Sequence, residues 1–357
     1  MEKFGVYIHW PFCLSKCPYC DFFSQISKNT SQAEIIETYL KDLDFYHQLT
    51  SDKKVTSIFF GGGTPSLIEP KNIEKVIKYI HKKWNVADDV EISLEANPNT
   101  NHPNMFQDLK SAGINRLSLG IQSLRNEDLK FLGRTHNASQ AMQAIDEVLT
   151  TFNNHSMDMI YALPHQQFKN WETDLDRVTD FGFKHISLYQ LTIEDGTVFA
   201  KKNMQIMDDE RAIDMYNLTT DILASKNYNR YEISNFSKPN SECQHNLLYW
   251  QGDDYVGVGK TAHGRIGFKA TTHRRKIEEI SKEERAEELI LMGLRLKEGI
   301  NKEKFEKICH IRFDNFINSN ALPKLLEEGL IENSETTFRA TKKGILLLNH
   351  IIENIIK

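Results

Sequence analysis

Six short apolar runs alternate with stretches of helical period across the first half of the chain, and no other feature limits the fold as much. The runs lie at 5–10, 55–60, 91–95, 116–119, 157–162 and 185–189. Between them apolar residues return every three or four positions; Ile35, Ile36, Tyr39, Leu40 and Leu43 mark the first such segment, 32–48. Strands separated by helices pair in parallel, and the helices cover the sheet. Six units are too few for the eight-unit closed barrel. The expected fold is α/β: a partial (β/α)6 barrel open along one side, with a doubly wound sheet as the alternative.

The rhythm breaks after Tyr189. A helix is expected at 208–225 and a short strand at 231–233, followed by a polar, aromatic loop carrying Cys243, His245, Asn246, Tyr249 and Trp250. Helical period returns at 286–296, 302–310, 322–328 and 341–356, with a small hairpin over 330–340. The chain divides accordingly into a core at 1–200, a linking region at 201–277 and a mainly helical accessory domain at 278–357.

A formal charge of −5 gives no field that would draw nucleic acid or acidic lipid. The basic run His273-Arg-Arg-Lys276 reads as a solvated helix start or a local anion contact. The start, Met1-Glu-Lys-Phe4, enters an apolar strand without a basic leader, and the apolar stretch at 345–348 is too short to span a bilayer.

Chemistry concentrates in the turns after the strands. Three of the five cysteines, Cys13, Cys17 and Cys20, lie within eight residues just beyond the first strand. Three thiolates can hold three irons of a [4Fe-4S] cube and leave the fourth open to another ligand. A zinc site completed by His9 is the alternative. Clustered, oxidisable thiolates also imply a reducing compartment, so the cytoplasm is expected. Gly61, Gly62, Gly63 and Thr64 follow the second strand, Glu95 ends the third, Gln122 follows the fourth and Asp158 lies in the fifth. Such turns converge on one rim, where ligands of parallel α/β folds collect.

Several motifs carry a family resemblance. They are Tyr7-Ile-His-Trp-Pro-Phe-Cys13, the Cys-x3-Cys-x2-Cys spacing with Tyr19 before its last cysteine, Phe60-Gly-Gly-Gly-Thr-Pro-Ser66 and Glu95-Ala-Asn-Pro98. Further on come Gly120-Ile-Gln-Ser123, Leu132-Gly-Arg-Thr-His136, Tyr231-Glu-Ile-Ser234 and His245-Asn-Leu-Leu-Tyr-Trp250. The chain resembles the radical S-adenosylmethionine superfamily. Within it, the resemblance is to the branch of oxygen-independent coproporphyrinogen III oxidase and the bacterial heme chaperones.

The resemblance implies a [4Fe-4S] cluster on Cys13, Cys17 and Cys20 whose open iron takes the amino and carboxylate groups of S-adenosylmethionine. Gly61, Gly62 and Gly63 would border its methionine portion. Glu95, Gln122, Arg134 and Asp158 would contact the cofactor, with Arg134 suited to the carboxylate. Tyr19 would cover the cluster, and Tyr7, Phe22 and Thr64 complete the implied cofactor set. No residue is given a catalytic role.

The oxidase carries a fourth cysteine two places after the third and a longer N-terminal segment. This chain has Phe22 there and a short lead, which matches the chaperone-like group. His245, with Asn246, Tyr249 and Trp250, then becomes the heme-site candidate, and His263 the second. Relatives carry glycine where this chain has Ala162, His165 and Thr261.

The expected function is to hold heme and pass it to an acceptor hemoprotein, such as a respiratory one, near the inner membrane surface. A reductant protein would serve a redox-active cluster. The alternatives are coproporphyrinogen III dehydrogenase and a zinc-stabilised binding module.

Overall fold

A computed structural model describes residues 3–27, 31–99, 104–272 and 275–356. His273 and Arg274 of the basic run lie outside the described residues. The six expected strands are β1 (Phe4–Trp10), β2 (Lys54–Gly62), β3 (Asn85–Ala96), β4 (Arg116–Gln122), β5 (Asn154–Tyr161) and β6 (His185–Gln190). They pair in parallel and in chain order. Helices α1 (Gln32–Thr50), α2 (Pro70–Lys83), α3 (Met105–Ser111), α4 (Asn126–Phe131), α5 (Ala138–Thr151) and α6 (Phe168–Asp180) connect them.

The two faces of this sheet differ in chemistry. Val6, Ile8, Ile58, Phe60, Leu94, Leu117, Leu119, Met157 and Leu188 join one core with Ile36, Leu43, Val76, Ile80, Leu109, Ile145 and Leu175 from the helices. Side chains alternate along a strand, so the other face carries Tyr7, His9, Ser57, Glu91, Glu95, Arg116, Ser118, Asp158 and Ser187. That face is therefore mainly polar, with Phe59 among its few apolar side chains. A lumen lined with polar groups is what an internal site requires.

The sheet grows at both edges. Beyond β6 lie two short antiparallel strands, β7 (Asn229–Arg230) and β8 (Asn235–Ser237). The strand expected at 231–233 is instead the bend between them. On the other edge β9 (Asp254–Val258) pairs in parallel with β1, placing Gly257 opposite Tyr7, and the antiparallel strands β10 (Gly264–Ile266), β11 (Lys269–Thr272) and β12 (Lys276–Glu279) follow. The resulting order, β12-β11-β10-β9-β1-β2-β3-β4-β5-β6-β8-β7, is linear, so among the described residues the barrel is open.

Helix α7 (Asp209–Ser225) lies where it was expected, but the aromatic segment expected as a loop is helix α8 (Gln244–Trp250). The C-terminal region has its own core, built on Ile290, Phe305, Phe313, Leu325, Phe338 and Ile351. Its small sheet sets the hairpin strands Ile331–Asn333 and Thr337–Ala340 beside Ile300–Asn301. The helix expected over 341–356 is split into Lys342–Ile345 and Leu348–Ile355.

Ala162 and Thr261 both adopt left-handed backbone, with φ of 58° and 68°. This explains why glycine suits these positions: a Cβ there crowds the neighbouring carbonyl at a cost of ~1–2 kcal/mol. Ala162→Gly and Thr261→Gly are each expected to stabilise the protein by about 0.5–1 kcal/mol after the added chain entropy of glycine is counted. Thermal melting would register this as a rise in Tm, and a fall at either position would contradict the strain account.

Candidate cofactor site

The cysteine loop leaves β1 at Trp10 and is closed on itself by pairing of Phe12–Cys13 with Gln25–Ile26. A tight turn, Cys20 N to Cys17 O at 3.1 Å, brings the second and third cysteines round. The loop also packs down on the glycines after β2. A side chain at Gly63 would stand 2.6 Å from the Phe12 carbonyl oxygen, and Gly62 is left-handed, at φ 112°, against the His9 ring. These two glycines serve the loop's close approach as much as they serve a ligand.

A cavity of about 410 Å³ opens between this loop and the carboxyl ends of the strands. Cys13, Cys17, Tyr19, Cys20 and Phe22 form one side, with Gly62, Gly63 and Thr64 beside them. Glu95, Gln122, Arg134 and Asp158 line the rest. Twelve of the expected site residues thus meet at one place. Gly61 and Tyr7 do not reach it: Tyr7 stands one layer below, its hydroxyl 3.0 Å from His9 Nδ1 and its ring stacked on Phe59.

Arg134 ties the walls together. It donates to the Asn97 side chain, to the Gly120 carbonyl at 3.1 Å, and to Cys17 Sγ and the Tyr19 hydroxyl at 3.4 Å each. Its Nε is buried without a hydrogen-bond partner. Gln122 is left-handed, at φ 70°, where β4 slips register against β5. Strain of this kind gathers at binding sites and re-aims side chains.

Both carboxyl groups line the cavity. Glu95 accepts from the Gly62 amide at 3.2 Å, yet burial, followed by the charge of Asp158, pushes it up to about 8. Asp158 is raised by burial against the opposing hydrogen bonds of Ser187 and Ser118. Glu95 has its usual value of 4.5 when unfolded. Between these values the folded chain holds a proton that the unfolded chain releases. The stability this contributes is therefore complete below 4.5 and is lost as pH rises through 8. Glu95→Gln cannot ionise, so the cofactor-free variant should melt higher than wild type at pH 8, on the order of 1 kcal/mol or more. Melting curves from about pH 5 to 9 check this, and parallel profiles for the two proteins would contradict it.

The residues fit the implied groups. Burial pushes the Cys20 thiol up, and the charges of Cys17 and Cys13 add to this against the Phe22 amide and Lys16. Metal ligation would relieve that mutual repulsion. Among the described residues no three His, Cys, Asp or Glu side chains converge on a single ion. A cube fits such spacing, because each sulfur binds a separate iron. For a zwitterionic sulfonium ligand, the walls offer one guanidinium with an unused donor and two carboxyl acceptors.

The heme candidate lies elsewhere. His245 is only 1% exposed, near the amino ends of the strands. Ser57 Oγ sits 2.8 Å from its Nδ1, the Tyr249 hydroxyl sits 2.7 Å from its Nε2, and Phe59 stacks on it at 5.2 Å. Burial pushes it down to about 3. With both ring nitrogens engaged, it presents no ligand atom to a porphyrin. Glu91 accepts from the Gln244 and His245 amides that begin α8, each at 3.2 Å, and faces Arg116 at 3.8 Å. Asn246 donates to the Tyr231 hydroxyl at 3.0 Å, and Trp250 is half-buried under the Arg295 guanidinium. The aromatic motif is a plug at the floor of the lumen.

Sequence reasoning missed Asn97, Gly120 and the wall after β6, where Tyr189, Gln190, Thr192 and Glu194 line the cavity. The signal was present. Polar residues follow the sixth strand just as they follow the other five.

A model of the radical SAM superfamily matches residues 7–178, and one of the HemN C-terminal domain matches residues 280–347. The heme chaperone HemW of Buchnera aphidicola subsp. Schizaphis graminum is 34% identical over 371 residues, spanning 99% of this chain and 98% of its own. The heme chaperone HemW of Buchnera aphidicola subsp. Acyrthosiphon pisum is 35% identical over 375 residues, with 100% and 99% covered. Among solved structures, coproporphyrinogen III oxidase (HemN) from Escherichia coli, a radical SAM enzyme, matches with a TM-score of 0.83 at 19% identity, over 99% of this chain and 89% of that one. The structural match carries the fold, the partial barrel with its appended C-terminal region, and the sequence matches carry the lineage. The chain belongs to the radical S-adenosylmethionine superfamily, in the branch that holds the HemW heme chaperones.

Proposed function

We propose that this protein holds heme and hands it to an acceptor hemoprotein, with a [4Fe-4S] cluster on Cys13, Cys17 and Cys20 and S-adenosylmethionine in the adjoining cavity. The observation that carries this reading is similarity to HemW chaperones along the whole chain, 99% of it at 34% identity. Phe22, where the oxidase has its fourth cysteine, agrees with it. Direct hand-over suits a cargo whose apolar face would otherwise enter water.

A reduced cluster would supply one electron for cleavage of the sulfonium bond. The chain's own residues bind and orient: Arg134 meets the carboxylate, and Glu95 and Asp158 accept from amino or ribose donors. Cofactor that binds the folded loop and not the unfolded one stabilises that loop whether or not it is cleaved. The acceptor would be a respiratory hemoprotein, approached from the cytoplasm at the inner membrane surface, with a separate reductant protein for the cluster. Among the described residues no helix is long and apolar enough to cross a membrane.

Anaerobic reconstitution followed by parallel heme titration and coproporphyrinogen turnover tests the reading. Stable heme binding with transfer to an apo-hemoprotein, and no protoporphyrinogen formed, is the expected outcome. Turnover without heme binding would establish the dehydrogenase instead.

A further inference from the structure

Two acids share the cofactor cavity, and among the described residues only neutral groups donate to them. Glu95 accepts from the Gly62 amide at 3.2 Å, and the Ser118 hydroxyl stands 3.0 Å from both oxygens of Asp158. Ser187 adds a second hydroxyl to Asp158. Arg134, the guanidinium of the same wall, gives its bonds to Asn97, Gly120, Cys17 and Tyr19 and none to either acid. Two carboxylates in one poorly solvated site do not both stay ionised, so such a pair keeps a proton until a cation replaces it.

The groups around the pair leave that balance in place. Tyr7 of β1, Tyr189 of β6 and Tyr249 of α8 feel the charge of Glu95, and burial of their hydroxyls holds all three above the usual phenol range, so they stay neutral. Burial raises Asp158 against the pull of its two serines, Arg116 and Arg134. Lys16, Asp21 and Glu194 also line the cavity but are exposed to solvent, which screens them. Thiolates at Cys13, Cys17 and Cys20 are negative and favour the retained proton.

We propose that Glu95 and Asp158 form a charge-reading pair, which releases its proton when a sulfonium ligand enters and so favours S-adenosylmethionine over the neutral thioether S-adenosylhomocysteine. This rests on the reading that the cavity takes S-adenosylmethionine. The two ligands share amino, carboxylate and ribose groups and differ by one methyl group and its positive charge. Arg134 answers the carboxylate of both, which leaves that charge for the two acids. Specificity is a difference of affinities, and here it needs an acid able to ionise. Binding that expels a proton strengthens as pH rises. It levels off once the empty cavity has already lost the proton, near the value of about 8 to which Glu95 is pushed.

The test is calorimetric titration of the anaerobically reconstituted protein, cluster oxidised, with each ligand from about pH 6 to 8.5. The affinity ratio should widen with pH by up to roughly tenfold per unit and then level off. Repeated in buffers of different ionisation enthalpy, S-adenosylmethionine should release more protons than S-adenosylhomocysteine. Glu95→Gln should flatten the ratio while iron and sulfide stay at the wild-type level. Asp158→Asn should move the rise to lower pH, because the neighbouring charge that lifts Glu95 is gone. A wild-type ratio indifferent to pH, or a Glu95→Gln ratio that still follows pH, would overturn the pair's role and leave the cofactor site standing. If a variant bound neither ligand, the wild-type ratio and proton count would decide. Wild-type protein that bound neither ligand would overturn the cofactor site as well.

Discussion

Cys17→Ser should abolish the cluster. The serine hydroxyl stays protonated and is a poor iron ligand, and two remaining thiolates cannot anchor a cube whose fourth iron has no protein donor. The loss should be close to complete, because Cys17 sits between the other two and accepts the Arg134 contact at 3.4 Å. Anaerobically purified variant should contain a small fraction of the wild-type iron and sulfide. Far-ultraviolet dichroism should hardly change, since only Phe12 of the loop packs against the apolar core behind the sheet. Wild-type iron content in this variant would remove Cys17 from the site.

His245→Ala should produce the largest stability loss, about 2–4 kcal/mol. Removing the ring would leave a cavity beside Phe59 and would strip the buried Ser57 and Tyr249 hydroxyls of partners at 2.8 and 2.7 Å. The fraction that remains folded should bind heme with the wild-type optical spectrum, because the ring faces the lumen floor. Denaturant melts and a heme titration of the same sample separate these effects. Normal stability with an altered heme spectrum would place His245 in the heme site.

The difference between these two residues shows what a sequence can and cannot reveal. Cys13, Cys17, Glu95, Gln122 and Asp158 were legible because each sits at or near the carboxyl end of a strand, and parallel α/β topology brings those ends together. The enclosure of His245 was not legible, because it depends on Ser57 and Tyr249 occupying both its nitrogens. The Ser57 partner lies 188 positions away in the chain, and no local pattern reports that contact. The strand Asp254–Val258 escaped notice for a related reason: it lies in a glycine-rich stretch and gains its stability by pairing with β1. The polar lumen face was present as alternation within the strands, but the apolar runs masked it. Glycine positions were partly legible, and the left-handed φ at Ala162 and Thr261 supplies the physical reason that resemblance alone did not.

The central claim is that three protein sulfurs leave one iron of the cube open toward the cavity walled by Arg134, Glu95 and Asp158. Electron paramagnetic resonance of the anaerobically reduced, reconstituted protein tests it most directly. Adding S-adenosylmethionine should shift the cluster signal in the wild type, with a weaker response in an Arg134→Leu variant that keeps its iron and sulfide. A reduced cluster whose signal is indifferent to S-adenosylmethionine, or a purified protein holding metal without inorganic sulfide, would contradict the account.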